Sequence, residues 1–310
     1  MARFNAGLII KDYRAKKGIT QEKLSDGVCS VSTLHRIERG KVTPSVFVLG
    51  YLMERLGFEA GKYYLSASCL QEFIFINTYN DVEAHVMAQR FDEASMQITK
   101  LESAEHLLSK DEGAGIRKQM IMSLQCAISQ GKNGDASELF ELIQEALLLT
   151  LPDFDENRIS RYMLSYCEIS LINMLATTYK NSGSSERKIK ILYQVKDNLD
   201  RYYSDDYEKS RGYVQTLYNL SNALGLSSQY EKALEICEIA IQACVKNKRL
   251  YLLPHLNFNK GCALFYMGDK ETYKNLILES IYALRNNRDF QDSDVRKRFA
   301  EKEMGIEFPF

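Results

Sequence analysis

Only 4 prolines and 17 glycines interrupt the 310 residues. So few breakers disfavour a fold of short strands and tight turns and favour long helices. No segment approaches the ~20 consecutive apolar residues that span a bilayer. The opening Met-Ala-Arg-Phe-Asn has no apolar signal core either, so a cytoplasmic protein is expected. Seven cysteines (Cys29, Cys69, Cys126, Cys167, Cys237, Cys244 and Cys262) form no CxxC pair and are odd in number. Most lie in apolar helical runs, which marks them as small core residues in a reducing compartment. No basic neighbour pattern marks any of them as a thiolate. The four histidines, His35, His85, His106 and His255, have no ligand spacing among themselves or with cysteine, so no metal and no cofactor is expected. There is no Ser/His/Asp or Cys/His arrangement and no glycine-rich phosphate loop. No catalytic residue is therefore assigned, and an enzyme is not expected.

What is present divides in two. The length suits two domains, and the net charge of -1 conceals an asymmetry. Residues 1–66 carry 11 Lys/Arg against 6 Asp/Glu, whereas the remainder carries 29 against 35. A basic head on an acidic body fits a nucleic-acid module joined to something else. In the head, residues 4–17 read as a helix stopped by Gly18. Thr20 caps a short helix, Gln21 to Asp26, with Leu24 facing inward. After a turn at Gly27–Val28–Cys29, Ser30 caps a further helix from Val31 to Arg39, ended by Gly40. Leu34 and Ile37 anchor that helix, while Val31, Ser32, His35, Arg36 and Arg39 occupy its other side. Pro44 then opens a segment with Val46, Leu49, Leu52 and Leu56 at helical spacing. A short helix, a three-residue turn and a helix with an exposed polar side is the layout of a major-groove reader.

The string GITQEKLSDGVCSVSTLHRIERGKVTPS (18–45) resembles the helix-turn-helix domain shared by phage repressors and many bacterial regulators. That resemblance implies a five-helix head and assigns roles. Gln21 begins the second helix, near the backbone and the first base contact. Val31, Ser32, Thr33 and Arg36 face base edges, and Ser30 and Lys41 hold phosphates. Arg14 and Glu38 match a partly buried structural pair, in which losing one partner leaves an uncompensated charge. On chemistry alone, Arg36 near the middle of the helix suits bidentate binding to guanine O6/N7, and Val31 suits either a thymine methyl or simple packing. His35 reads as a phosphate or solvent neighbour.

From about residue 68 amphipathic helices come in pairs with a period near 40. The clearest unit is YNLSNALGLSSQYEKALEICEIAIQAC (218–244). Leu220, Ala223 and Leu224 lie on its first helix, and Ala233, Ile236, Cys237 and Ala240 on its second. Tyr230 after the turn is expected to fill the space between them. Weaker echoes occur at 90–101, 131–147, 173–195 and 259–281. The unit resembles a tetratricopeptide repeat, so the chain is expected to be all-α, with an α-solenoid of about five degenerate repeats over 67–310. The inner surface of such a solenoid is made by the first helix of each pair. Gln215, Tyr218, Asn219 and Asn222 are placed there in the best repeat, Asn173 and Thr177 in the one before, and Asn259 in the one after. Carboxamides carry a donor and an acceptor and suit the main chain of an extended peptide. A basic pair, Arg117 and Lys118, suits a carboxylate at one end. The last stretch, 289–310, either caps the final repeat or lies over the groove.

A repressor-type head joined to degenerate tetratricopeptide repeats resembles the peptide-pheromone regulators of Gram-positive bacteria, the Rap/Rgg/NprR/PlcR/PrgX group. The segment DGVCSVSTLHRIERGK (26–41) is especially similar to the PlcR and Rgg branch. The resemblance implies a homodimer, dimerised through the repeats, that binds double-stranded operator DNA and is controlled by a short signalling peptide. Two rival readings stand beside it. One is a DNA-binding regulator whose repeats dock a protein partner, which an apolar groove would favour. The other is an enzyme with a phosphatase-like activity, for which the residues offer no support.

Overall fold

The computed structural model describes residues 6–58, 70–108, 110–179, 185–203, 206–269 and 271–309, with the side chains of 206–211 excepted. Among these the chain is helical, without a strand. The head contains α1 (Ala6–Lys16), α2 (Gln21–Ser25), α3 (Val31–Glu38) and α4 (Val46–Arg55). A fifth head helix before residue 66 would fall on residues outside those described, as does Cys69. Ten helices follow in the body's first part and second part: α5 (Leu70–Met87), α6 (Phe91–His106), α7 (Ala114–Gly131), α8 (Ala136–Leu148), α9 (Tyr166–Thr178), α10 (Ser185–Tyr202), α11 (Asp206–Leu226), α12 (Tyr230–Lys246), α13 (Leu253–Tyr266) and α14 (Thr272–Asn286). The last, α15, spans Phe290–Met304.

Local chemistry sets these boundaries. Thr20, Ser30 and Ser45 each cap a head helix by accepting the backbone N–H three residues on, from Lys23, Thr33 and Val48. This satisfies donors that a helix start leaves orphaned. In the body, α5, α7, α11, α12, α13 and α14 all end alike. The second residue past each helix adopts a positive φ: Gln89, Asn133, Ser228, Lys248, Gly268 and Arg288. The next N–H reaches back to a carbonyl five residues earlier, as from Gln229 to Leu224 and from Asp289 to Leu284. This is the Schellman closure, and it turns the chain sharply into the next helix.

The chain divides into two compact units, Met1–Thr178 with Asp197–Glu208, and Tyr179–Lys196 with Lys209–Phe310. The head shares a compact unit with α5 to α9. Within that unit α5 packs on α6 and α7, and α7 on α8 and α9, so each first helix touches the next first helix as in stacked repeats. Gly27, in the turn before α3, lies against the loop after α8: a Cβ there would come within 1.9 Å of the Thr150 carbonyl. Its φ of +67° also favours glycine.

In the second unit the repeat at 218–244 packs through Leu220, Leu224, Ala233, Cys237 and Ala240, all buried. Tyr230 does not fill the space between those helices. It is half-buried and stacks on Tyr266, ring centroids 5.0 Å apart and planes 13° from parallel. The C-terminal stretch caps α13 and α14: Ala300, Met304 and Ile306 join Phe258, Ile277 and Ile281 in one core, with Phe308 packed against it.

Candidate DNA-reading face and ligand cavity

In the head, α3 is held by Leu34 and Ile37, both buried, while Val31, Ser32, His35, Arg36 and Lys41 nearby are exposed. Beneath it, Arg14 donates to Glu38 in a two-pronged pair, Nε to Oε1 at 2.6 Å and Nη2 to Oε2 at 2.9 Å. Arg14 Nη1 also donates to the Ile19 carbonyl at 2.8 Å. Burial alone would push the Glu38 carboxyl up, but hydrogen bonds from Arg14 and Gln21 outweigh it and hold the group below its ordinary range. Gln21 is thus committed to this pair through Nε2–Oε2 at 2.6 Å, which leaves less of its side chain for DNA than the family pattern implies. Ser30 is occupied as the α3 cap. Thr33 donates its hydroxyl to Glu112, at 2.8 Å, on the turn that precedes α7.

That contact belongs to a docking of the head on the body that the sequence did not reveal. Arg55, fully buried at the end of α4, donates Nη2 to the Glu168 carboxylate at 3.0 Å and to the Thr150 carbonyl at 3.2 Å. Glu168 is equally buried and accepts from Thr150 Oγ1 and from the Ser165 amide, both at 2.6 Å. Gln119 links Thr150 to the Tyr51 hydroxyl. Glu54 accepts from the Tyr166 amide at 3.0 Å, and Lys23 reaches the Tyr202 hydroxyl at 2.7 Å. The only signal in the chain was a charged pair, Glu54–Arg55, closing the otherwise apolar run of α4.

The residues assigned to a peptide groove fall in both units. Of those in the first, Asn173 lines no groove: it is buried and its amide donates to the Ile169 carbonyl of its own helix at 2.9 Å. Thr177 is half-buried between the Gln130 amide, which it accepts from, and the Met174 carbonyl. Arg117 is buried, paired with Asp111 at 2.8 Å and lying over Phe47, so it presents no free cation to a carboxylate. Lys118 is exposed and pairs with Glu145 at 3.0 Å.

The second unit gathers the rest. Gln215 donates to Asn219 at 3.3 Å along one face of α11. Further along lies a cavity of about 320 Å³ lined by Ser221, Asn222, Gly225, Phe258, Asn259, Tyr266, Arg296 and Phe299, among others. Asn259 donates to Ser221 Oγ at 3.0 Å. At the same end Arg296 donates Nη2 to His255 Nδ1 at 2.8 Å and to the Tyr218 hydroxyl at 3.3 Å. His255, Asp289 and Asp292 are close enough to share an ion, but the Arg296 guanidinium already stands against His255 Nδ1. Burial, with Arg296 beside it, lowers the His255 pKa despite Asp292 and Asp289. The described cysteines sit in apolar packing that pushes their thiols up to about 11 or 12, which disfavours a thiolate.

Residues 10–61 match the helix-turn-helix family, and residues 101–277 match the RNPP family C-terminal domain. Among solved structures, PlcR of Bacillus thuringiensis in complex with the peptide PapR7 and DNA is 19% identical with a TM-score of 0.58, over 96% of this chain and 99% of that one. ComR of Streptococcus vestibularis in complex with its cognate signalling peptide XIP is 15% identical with a TM-score of 0.52, over 94% and 97%. No curated protein matches the chain. At these identities the structural likeness establishes a common fold.

Proposed function

The chain belongs to the RNPP family, whose C-terminal domain covers residues 101–277, and from that premise we propose that it is a transcription regulator controlled by a short linear peptide. The observation that carries this reading is a division of labour between units. One exposes Val31, Ser32, His35 and Arg36 along a helix anchored at its back. The other encloses a cavity in which Asn222, Asn259 and Arg296 stand among aromatic rings. An exposed helix of that size fits a major groove, with Arg36 on a guanine and Lys41 on a phosphate. A lining that mixes carboxamides, a guanidinium and aromatic walls suits a peptide, which brings main-chain amides together with side chains. A wholly apolar lining would have favoured a docked protein helix instead.

The PlcR complex holds both a peptide and DNA in the same fold. With the homodimer that the sequence resemblance implies, the chain works in the cytoplasm, without catalysis, and its two heads occupy two half-sites. The decisive experiment is fluorescence anisotropy of the full chain on DNA fragments from the region around its own gene. It is run with and without peptides encoded by small reading frames beside that gene. Nanomolar, salt-sensitive binding to one fragment that a peptide alters at least fivefold supports the reading. Uniform weak binding to every fragment, untouched by any peptide, rejects it.

A further inference from the structure

The 320 Å³ cavity of the second unit has a chemistry more specific than peptide binding in general. Four rings, Phe258, Phe299, Tyr230 and Tyr266, line it with Leu226, beside the polar Ser221, Asn222, Ser228 and Asn259. A single guanidinium, that of Arg296, belongs to the same lining. Arg296 is only 13% exposed and lies over the Phe258 ring, 4.8 Å from its centroid. Its Nη2 is engaged by His255 and Tyr218 and pairs more loosely with the Asp292 carboxylate, at 3.6 Å. Its Nε is buried with no hydrogen-bond partner. A buried donor left unmade is costly, so an acceptor is wanted there.

Gly225 adds an independent observation. It is the penultimate residue of α11, just before the turn closed by Ser228. Packing does not demand it, because a Cβ built there would meet nothing within 4 Å. What a larger residue at 225 would occupy is the space of the cavity itself.

Resting on the peptide reading above, we propose that this cavity takes the C-terminal residue of the peptide, a large apolar one, with its free carboxylate on Arg296. A terminal apolar residue carries its carboxylate and its hydrocarbon on one Cα, which matches a lone guanidinium among rings. The unpartnered Nε–H can donate a single hydrogen bond to a carboxylate oxygen while Nη2 keeps His255 and Tyr218.

The test uses two pools of random synthetic pentapeptides, one with free C-terminal carboxylates and one with C-terminal amides. The full-length protein selects from each in solution, and retained peptides are identified by mass spectrometry. Retention at least tenfold greater from the acid pool, enriched in Phe, Tyr, Leu, Ile or Met at the last position, supports the proposal. Arg296→Met should erase the acid preference, Arg296→Lys should keep part of it, and Gly225→Leu should abolish retention. Equal retention from acids and amides overturns the carboxylate anchor and leaves peptide control standing. Enrichment of internal Asp or Glu without an end preference overturns it too. Retention from neither pool rejects both readings. The comparison of pools on the unmodified protein decides even if a variant fails to fold.

Discussion

The Thr33 hydroxyl, on the helix that would enter a major groove, donates to the Glu112 carboxylate at 2.8 Å. A carboxylate beside the reading face repels phosphates and occupies a side chain meant for a base edge. In this arrangement the body and the DNA compete for α3. Glu112→Gln removes the charge but keeps the shape, so DNA binding should tighten by about three- to tenfold, or about 0.7–1.4 kcal/mol. Anisotropy titrations of both proteins at one fixed salt concentration check this. Unchanged or weaker binding by the variant would mean that Thr33 and Glu112 meet without consequence for DNA.

Arg36 and Lys41 are both exposed, yet they are assigned different work. A guanidinium bidentate to guanine discriminates one base pair, so Arg36→Ala should cost about 1–3 kcal/mol on the operator and relax specificity there. Lys41→Ala should weaken specific and random DNA alike and reduce the salt slope by about one. Equal losses from Arg36→Ala on operator and random DNA would demote Arg36 to a phosphate contact.

The buried pair between Arg55 and Glu168, joined at 3.0 Å, ties the last head helix to α9. Removing one partner strands a charge out of water, so Arg55→Met should destabilise the fold by about 3–5 kcal/mol. Glu168→Gln keeps the hydrogen-bonding shape and should cost less. The double variant should be well short of the sum of the two singles, because each already breaks the same pair. Urea denaturation of the four proteins measures it. Strict additivity would show that the two side chains are neighbours without coupling.

These elements differ in how far the chain announced them. The head was legible because its signals are local: Thr20 and Ser30 cap, Gly18 and Gly40 stop, and Leu34 and Ile37 repeat at helical spacing. The helix pairs were legible for the same reason. Arg117 misled because it sits beside Lys118. Successive residues on a helix point about 100° apart, so such a pair cannot share one face. Lys118 took the solvent and Arg117 the interior, where Asp111 and Phe47 receive it. Asn173 misled because α9 is enclosed, with Cys167, Ile169, Leu171, Ile172, Met174 and Leu175 all buried around it. There an Asn satisfies its amide on its own helix instead of offering it to a ligand. The Arg55–Glu168 pair spans 113 residues, and no local pattern marks a partner at that separation. Arg296 was missed because its role depends on α15 folding back beside α13.

His255 makes the stability of the second unit depend on pH. Burial and the neighbouring Arg296 lower its pKa from 6.5, while Asp292 and Asp289 oppose the change less strongly. The neutral ring then accepts from Arg296 through Nδ1 at 2.8 Å, a bond that protonation at Nδ1 would abolish. As pH falls below 6.5 the unfolded chain takes up the proton before the folded one does. The stabilisation from this site is therefore present above 6.5, is lost between 6.5 and the lower folded value, and is constant below it. The loss is at most about 1.4 kcal/mol for each unit of pH across that window. His255→Gln cannot titrate, so its deficit in unfolding free energy relative to the parent should shrink between pH 7.5 and 5.5. Chemical denaturation at the two pH values measures that difference, and NMR titration of the ring gives the folded pKa directly. A midpoint above 6.5 would mean that Asp292 and Asp289 dominate, so that His255 is charged and the Arg296 bond to Nδ1 does not persist in solution.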